Sequence, residues 1–305
     1  MKSVAIVIPN LDQGRFLGDA IASALEQEGV TVKVGVLDAG SRDDSLAVIG
    51  RYEPQLLYWR SHADRGQAAA INEGLARLGP TDYVGWLNAD DFLLPHGLRH
   101  MVDHLEAHPE CVAVFGRAHI VDESGAVVGE FPTQPFSRSA LARTSIVCQP
   151  ASLVRRAAWT SVGGLDEGLY MCLDYDLWWR LSARGPIAFL PELVACSRDH
   201  EATKTRLRQD RLYEEAFTVL RRHLGRVPWK WCVSEAAYGW RREHGGRRAS
   251  NPVSQMICGW RAAARYVRVN TSWWRATEGR VSRDGPTRDA LDSGSRGAAH
   301  GSDRC

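Results

Sequence analysis

Short apolar runs alternate with stretches in which apolar residues recur every three or four positions, and this rhythm fills the first two thirds of the chain. The run SVAIVI at 3–8 is closed by Pro9 and Asn10 and predicts a central strand. Phe16, Leu17, Ala20, Ile21, Ala24 and Leu25 then share one helical face. Residues 32–37 predict a second strand ending at Asp38-Ala39-Gly40-Ser41, with Ser41 as the N-cap of a helix whose first turn holds Asp43 and Asp44. A third strand is expected at 56–59, an Ala-rich helix at 68–78 and a fourth strand at 83–87. That fourth run ends abruptly in Asn88-Ala89-Asp90-Asp91, before Pro95 and a helix marked by Leu98, Met101, Val102 and Leu105. Beyond it the pattern predicts a strand at 112–115 and a hairpin turning at 123–125. A helix follows over 174–184 with Leu177, Trp178 and Leu181 inward, then a last strand at 187–190. Strands and helices in this alternation imply an α/β fold on a mostly parallel sheet.

The polar residues gather after the strands: Asp12, Asp38, Asp64-Arg65 and Asp90-Asp91. In an open α/β sheet that rim is where ligands bind, although any such protein places polar loops there. Adjacent carboxylates at the end of a buried strand repel unless a cation meets them. A divalent ion would serve; the bland alternative is that one of the pair caps the following helix. No G-x-x-x-x-G-K-[ST] and no G-x-G-x-x-G is present, which sets aside a P-loop and a dinucleotide oxidoreductase. An acidic rim of this kind suits a diphosphate bridged by a metal ion.

Composition changes this picture in one respect. At 44% hydrophobic and 24% charged the 305 residues are ordinary for a globular chain. No apolar run approaches the roughly 20 residues of a membrane span, and no signal-peptide pattern precedes the first strand, so a cytoplasmic protein is expected. Seven scattered cysteines with no C-x-x-C speak against a disulfide framework or a zinc site. The net charge of +2, however, is unevenly spread: residues 1–200 hold 17 Lys/Arg against 25 Asp/Glu, and 201–275 hold 16 against 6. An acidic body carrying a basic appendage points to an anionic partner for the latter.

Six blocks, VAIVIPNLDQGRFL, VLDAGSRDDS, DRGQAAAIN, WLNADDFLLP, VGGLDEGL and CLDYDLWWRL, in this order and at these intervals, resemble the family 2 inverting glycosyltransferases of the WLNxDD / DRGQxxAIN type. The resemblance covers about residues 3–205 and implies a GT-A fold, Rossmann-like, with a C-terminal helical appendage. It implies transfer of a sugar from a UDP-, GDP- or dTDP-linked donor to a saccharide or lipid-linked saccharide acceptor, with Mn2+ or Mg2+, in surface polysaccharide or glycolipid assembly. Carried over residue by residue, Pro9 and Asp12 lie under the nucleotide and Asp38 meets the base or ribose. A turn residue before Gly40 is the alternative for Asp38. Asp64, Arg65 and Gln67 fall near the diphosphate and donor sugar, where an Arg can meet phosphate bidentately, though a surface ion pair would also explain Asp64-Arg65. Asn88 stands where the family's first metal-motif Asp would be. Asp90 matches the metal ligand, and Asp91 braces the loop or caps the next helix. Asp174 matches the catalytic base, with Leu173 where many members carry Glu; Asp176 is a support or a second candidate base, and a helix-start carboxylate is the alternative for both. Gln149 and Arg198 match blocks lining the donor site, and His200 a further metal or phosphate ligand.

The sequence divides into a transferase domain at 1–205, a basic Trp/Arg-rich helical region at 206–275 and a tail at 276–305 expected to be disordered. In the middle region Ile257, Trp260, Ala263, Ala264 and Val267 form one helical stripe with Arg261, Arg265 and Arg268 beside it. Such a helix lies on the inner face of an anionic membrane as a peripheral contact, or packs on the body or on a second subunit. No nucleic-acid module is visible. Two competing functions stay open at this point: a nucleotidyltransferase, and a nucleotide- or glycan-binding protein without turnover.

Overall fold

The computed structural model describes residues 1–281, with side chains through Thr271; the rest of the tail lies outside the described residues. The first half runs β1 (Ser3–Asn10), α1 (Gly14–Leu25), β2 (Thr31–Asp38), α2 (Ser45–Tyr52), β3 (Tyr58–Ser61), α3 (Gln67–Arg77) and β4 (Tyr83–Trp86). It continues through β5 (Phe92–Leu93), α4 (Gly97–Ala107), β6 (Ala113–Val121), β7 (Val127–Glu130), α5 (Arg138–Leu141), β8 (Ser152–Arg155), α6 (Arg156–Ser161), α7 (Leu173–Leu181) and β9 (Ile187–Arg198). The C-terminal helices are α8 (Lys204–Leu207), α9 (Gln209–Leu224), α10 (Trp229–Glu243) and α11 (Pro252–Val281).

The strands make one sheet in the order β3-β2-β1-β4-β8-β6-β9-β5, with β7 added to β6. Strands β3, β2, β1 and β4 are parallel. The other half is mixed: β8 is antiparallel to both β4 and β6, while β6 and β9 run parallel. β1 has neighbours on both edges and helices on both faces, which is why its run reads as continuously apolar rather than alternating. The winding reverses between β1 and β4, so a crevice opens beyond the carboxyl ends of β1, β2 and β4, where Asn10, Asp38 and Asn88–Asp91 lie. Helix α3 seats against the sheet through Gly74, where a Cβ would fall 2.5 Å from Leu37 and 2.7 Å from Val7.

Three expectations are corrected. Ser41 does not cap α2: its hydroxyl bonds Asp38, and Asp43 instead accepts from the Ser45 and Gly14 amides. The last strand runs to Arg198 rather than 190, because it pairs along most of β6 and is clasped on its other edge by β5. The helix expected to reach 184 stops at Leu181. Strands β5 and β8 were not anticipated; at two and four residues they are too short to carry a period.

The helices after residue 205 share the body's core. Tyr213, Phe217 and Leu220 of α9, Cys232 of α10 and Ala262 and Val269 of α11 belong to the same buried cluster as Trp178 and Trp179 of α7. Among the described residues no helix is long and apolar enough to cross a membrane.

Candidate active site

The loop after β4 turns tightly, Asp91 N–H donating to the Asn88 carbonyl, and sends its two carboxylates in different directions. Asp91 is buried, accepting from the Arg198 backbone N–H at 2.9 Å and from the Asn88 amide at 2.9 Å, which ties the loop to the end of β9. Burial, and next the charge of Asp90, raise the Asp91 pKa well above the ordinary carboxylate range; the Arg198 and Asn88 bonds oppose this. Asp90 points the other way, and its Oδ2 lies 3.1 Å from Nε2 of His200, a buried ring tilted against Phe16. Nδ1 of that ring faces the Arg15 guanidinium at 3.3 Å. With Nδ1 accepting from Arg15 the proton sits on Nε2, aimed at Asp90; a cation at Nε2 requires the other tautomer, with the proton on Nδ1 and the Arg15 contact released.

Two donor atoms of different chemistry thus converge from sequence positions 110 apart. Among the described residues no cluster of three or more His, Cys, Asp or Glu side chains could hold a metal ion. The pair fits a cation that takes its remaining ligands from substrate phosphate and water, as Mg2+ and Mn2+ do, and an imidazole donor favours the softer Mn2+. Asn88 does not join this pair. Its amide holds Asp91 and its Oδ1 accepts from Gln67 at 2.8 Å.

Gln67 leads to a residue that sequence reading missed. Its Oε1 accepts from Lys204 Nζ, which also donates to the Tyr170 carbonyl and stands 4.2 Å over the Tyr170 ring. Burial pulls the Lys204 ammonium down to about 8, while the charges of Glu215, Asp174 and Asp90 pull the other way. Asp174 itself starts α7, and its carboxylate accepts from the Tyr175 N–H at 2.8 Å. Loss of water raises its pKa; the Tyr175 bond and the Lys204 charge counter the rise. One signal existed for Lys204, its place four residues after His200, but a lone lysine in an Arg-rich stretch reads as solvated surface.

Helix α7 has no side-chain cap of its own. Glu215 of α9 ties down the segment leading into it, accepting from the backbone N–H groups of Tyr170 and Met171 and of the N-cap residue Cys172. One turn further on, Asp176 is fully buried and bonded to Arg180 at 2.6 Å, His223 at 2.8 Å and Arg222 at 3.0 Å, the last two from α9. Burial works to raise the Asp176 pKa, but the His223 and Arg180 bonds prevail and hold it at about 2. Buried and paired on both oxygens, this carboxylate is closed to an incoming hydroxyl.

At the ends of β1, β2 and β3 the loops are braced. Asp38 is fully buried and accepts from Asn10 at 2.7 Å, from Ser61 at 2.5 Å and from the Gly40 and Ser41 amides at 3.0 Å. Burial would raise its pKa, and these bonds together lower it below the ordinary value. A base or ribose would meet Asp38 only by replacing one of these donors; Asn10 Oδ1, beside it, is buried with no partner among the described residues. Pro9 is the next-to-last residue of β1, and Asp12 holds a left-handed turn, φ 51°, by accepting from the Arg42 N–H. Asp64 pairs with Arg60 at 3.2 Å and not with Arg65, whose exposed guanidinium meets Glu167 at 2.9 Å. Gln149 donates to the Trp86 carbonyl, leaving a buried Oε1 without a partner among the described residues.

Arg198 requires a correction. The resemblance sets it against the donor, yet its guanidinium is buried between the rings of Phe16 and Phe92 and bonds Asp19 and the Glu123 carbonyl. It locks β9 to α1 and the β6–β7 turn.

Comparisons with known proteins bear on the family and the fold. An uncharacterized glycosyltransferase of Rickettsia typhi is 26% identical over 221 residues, 69% of each chain. The chondroitin synthase of Escherichia coli is 25% identical over 228 residues, 73% of this chain but 33% of that longer one. Among solved structures, Staphylococcus aureus TarS 1-349 in complex with UDP has a TM-score of 0.59 at 14% identity, covering 96% of this chain and 95% of that one. The mannosyltransferase PcManGT of Pyrobaculum calidifontis, in complex with GDP-Man and Mn2+, has a TM-score of 0.51 at 15% identity, covering 93% and 76%. These likenesses identify the fold as GT-A. The model of the family described as Glycosyl transferase family 2 matches residues 5–159, just over half of the chain, and the chain therefore belongs to glycosyl transferase family 2.

Proposed function

We propose that the chain transfers a sugar from a nucleotide-diphosphate sugar to an acceptor hydroxyl with inversion, and that Asp174 is the base. The observation that carries this is the pairing of Asp90 with His200 on the same rim as Asp174 and Lys204. Asp90 and His200 hold Mn2+ or Mg2+, which when bound neutralises charge on the donor diphosphate. Asp174 takes the proton of the attacking hydroxyl as the new bond to the anomeric carbon forms on one face; the bond to the diphosphate breaks on the other, and the nucleoside diphosphate leaves with the electron pair. Burial makes Asp174 a stronger base than a solvated carboxylate, and the ammonium of Lys204 offsets part of that rise. Solved neighbours in complex with UDP, UDP-GlcNAc and GDP-Man support a UDP- or GDP-linked donor; as acceptor we propose a saccharide or lipid-linked saccharide in surface polysaccharide or glycolipid assembly.

The test is turnover of UDP-, GDP- and dTDP-sugars with Mn2+, reading nucleoside diphosphate and pyrophosphate separately. Nucleoside diphosphate release is expected, with Asp90→Ala and Asp174→Asn each reducing kcat/KM by about 100-fold or more. Pyrophosphate release would indicate a nucleotidyltransferase, and tight nucleotide binding without turnover a binding protein. Undiminished activity in Asp174→Asn removes the base assignment alone.

A further inference from the structure

Helix α11 is seated by one face and bare on the other. Ser254, Ala262 and Val269 are buried, whereas Val253, Met256, Ile257, Trp260 and Val267 are exposed, Trp260 to 75% and Met256 to 63%. At 100° per residue these five share one stripe, about 21 Å long. Arg261 and Arg268 fall along one flank of it, and the hairpin tip between α10 and α11 adds the exposed Arg242, Arg247 and Arg248.

We propose that this face rests on an anionic phospholipid surface, α11 lying in the headgroup layer with Met256, Ile257 and Trp260 immersed. Large apolar side chains projecting singly are ordinary on a protein surface, but five on one helical stripe form a contiguous patch of the kind that marks an interaction site. The charge beside the patch decides the occupant. Exposed Arg242, Arg247 and Arg248 at the hairpin tip offer bidentate donors to headgroup phosphates, whereas Arg261 is paired with Glu243. A second copy docked through the same stripe would bring like arginines together and be repelled. The helix cannot span the bilayer, since no described helix is apolar over sufficient length, and it therefore lies along the surface. This assignment holds whatever sugar the enzyme transfers.

The test is flotation of the full chain with phosphatidylcholine vesicles, with and without phosphatidylglycerol, for the wild type, for Met256→Ser with Trp260→Ser, and for Arg247→Glu with Arg248→Glu. Thermal melts confirm that the variants are folded, which their exposed positions favour. Binding to the anionic vesicles alone is expected, weakened about tenfold or more by either pair of substitutions and by high salt. Equal flotation of all three proteins, or none, overturns the proposal. So does a wild-type dimer in sedimentation velocity that Met256→Ser with Trp260→Ser dissociates while vesicle binding is unchanged.

Discussion

Replacing Asp176 by Asn tests whether α9 holds α7 electrostatically. The substitution keeps the shape and removes the charge that faces Arg180, Arg222 and His223. In the folded chain the carboxyl titrates near 2, against an ordinary value of 3.8. At 1.36 kcal/mol for each pH unit between the two, the ionised form contributes about 2.4 kcal/mol to stability at neutral pH. Because the folded value is the lower one, this contribution is present above the unfolded pKa and is lost as pH falls through the folded value. It drops to about 1.3 kcal/mol at pH 3 by the same linkage relation. Asp176→Asn should therefore cost about 2 to 3 kcal/mol at pH 7 in urea unfolding, with the gap between variant and wild type narrowing by about half between pH 7 and pH 3. A penalty below about 0.5 kcal/mol, or one that does not change with pH, would refute the reasoning.

Lys204 should set the acid limb of turnover: Lys204→Met is expected to shift the acid limb of kcat/KM upward as Asp174 loses its counter-charge, and Lys204→Arg to keep it in place, while an unshifted limb in Lys204→Met would dismiss the role. Asn88→Asp would replace the donor to Asp91 with a third carboxylate. Thermal unfolding in chelator should show a loss of about 1 to 3 kcal/mol that Mn2+ restores more fully than in the wild type, and a variant as stable as wild type without metal would contradict this.

The sequence by itself determined the parallel half of the sheet and the positions of its polar ends. There the apolar runs are bounded by turn residues and joined by helices with a clear period, so local pattern and tertiary role coincide in SVAIVI and YVGW. It also brought Asp90, His200 and Asp174 forward, through ordered blocks rather than through any local signal. The strands β5 and β8 were hidden because two to four residues carry no period, and their pairing is imposed by neighbours distant in sequence. Only the tertiary structure decided which charges meet. Asp64 chose Arg60 over the adjacent Arg65, Arg198 turned into an aromatic slot, and Glu215 and Asp176 joined α9 to α7. A carboxylate's partner depends on where the chain returns in space, and burial then fixes whether the pair holds structure or stays open for chemistry. Sequence spacing encodes neither for residues 40 or 100 positions apart.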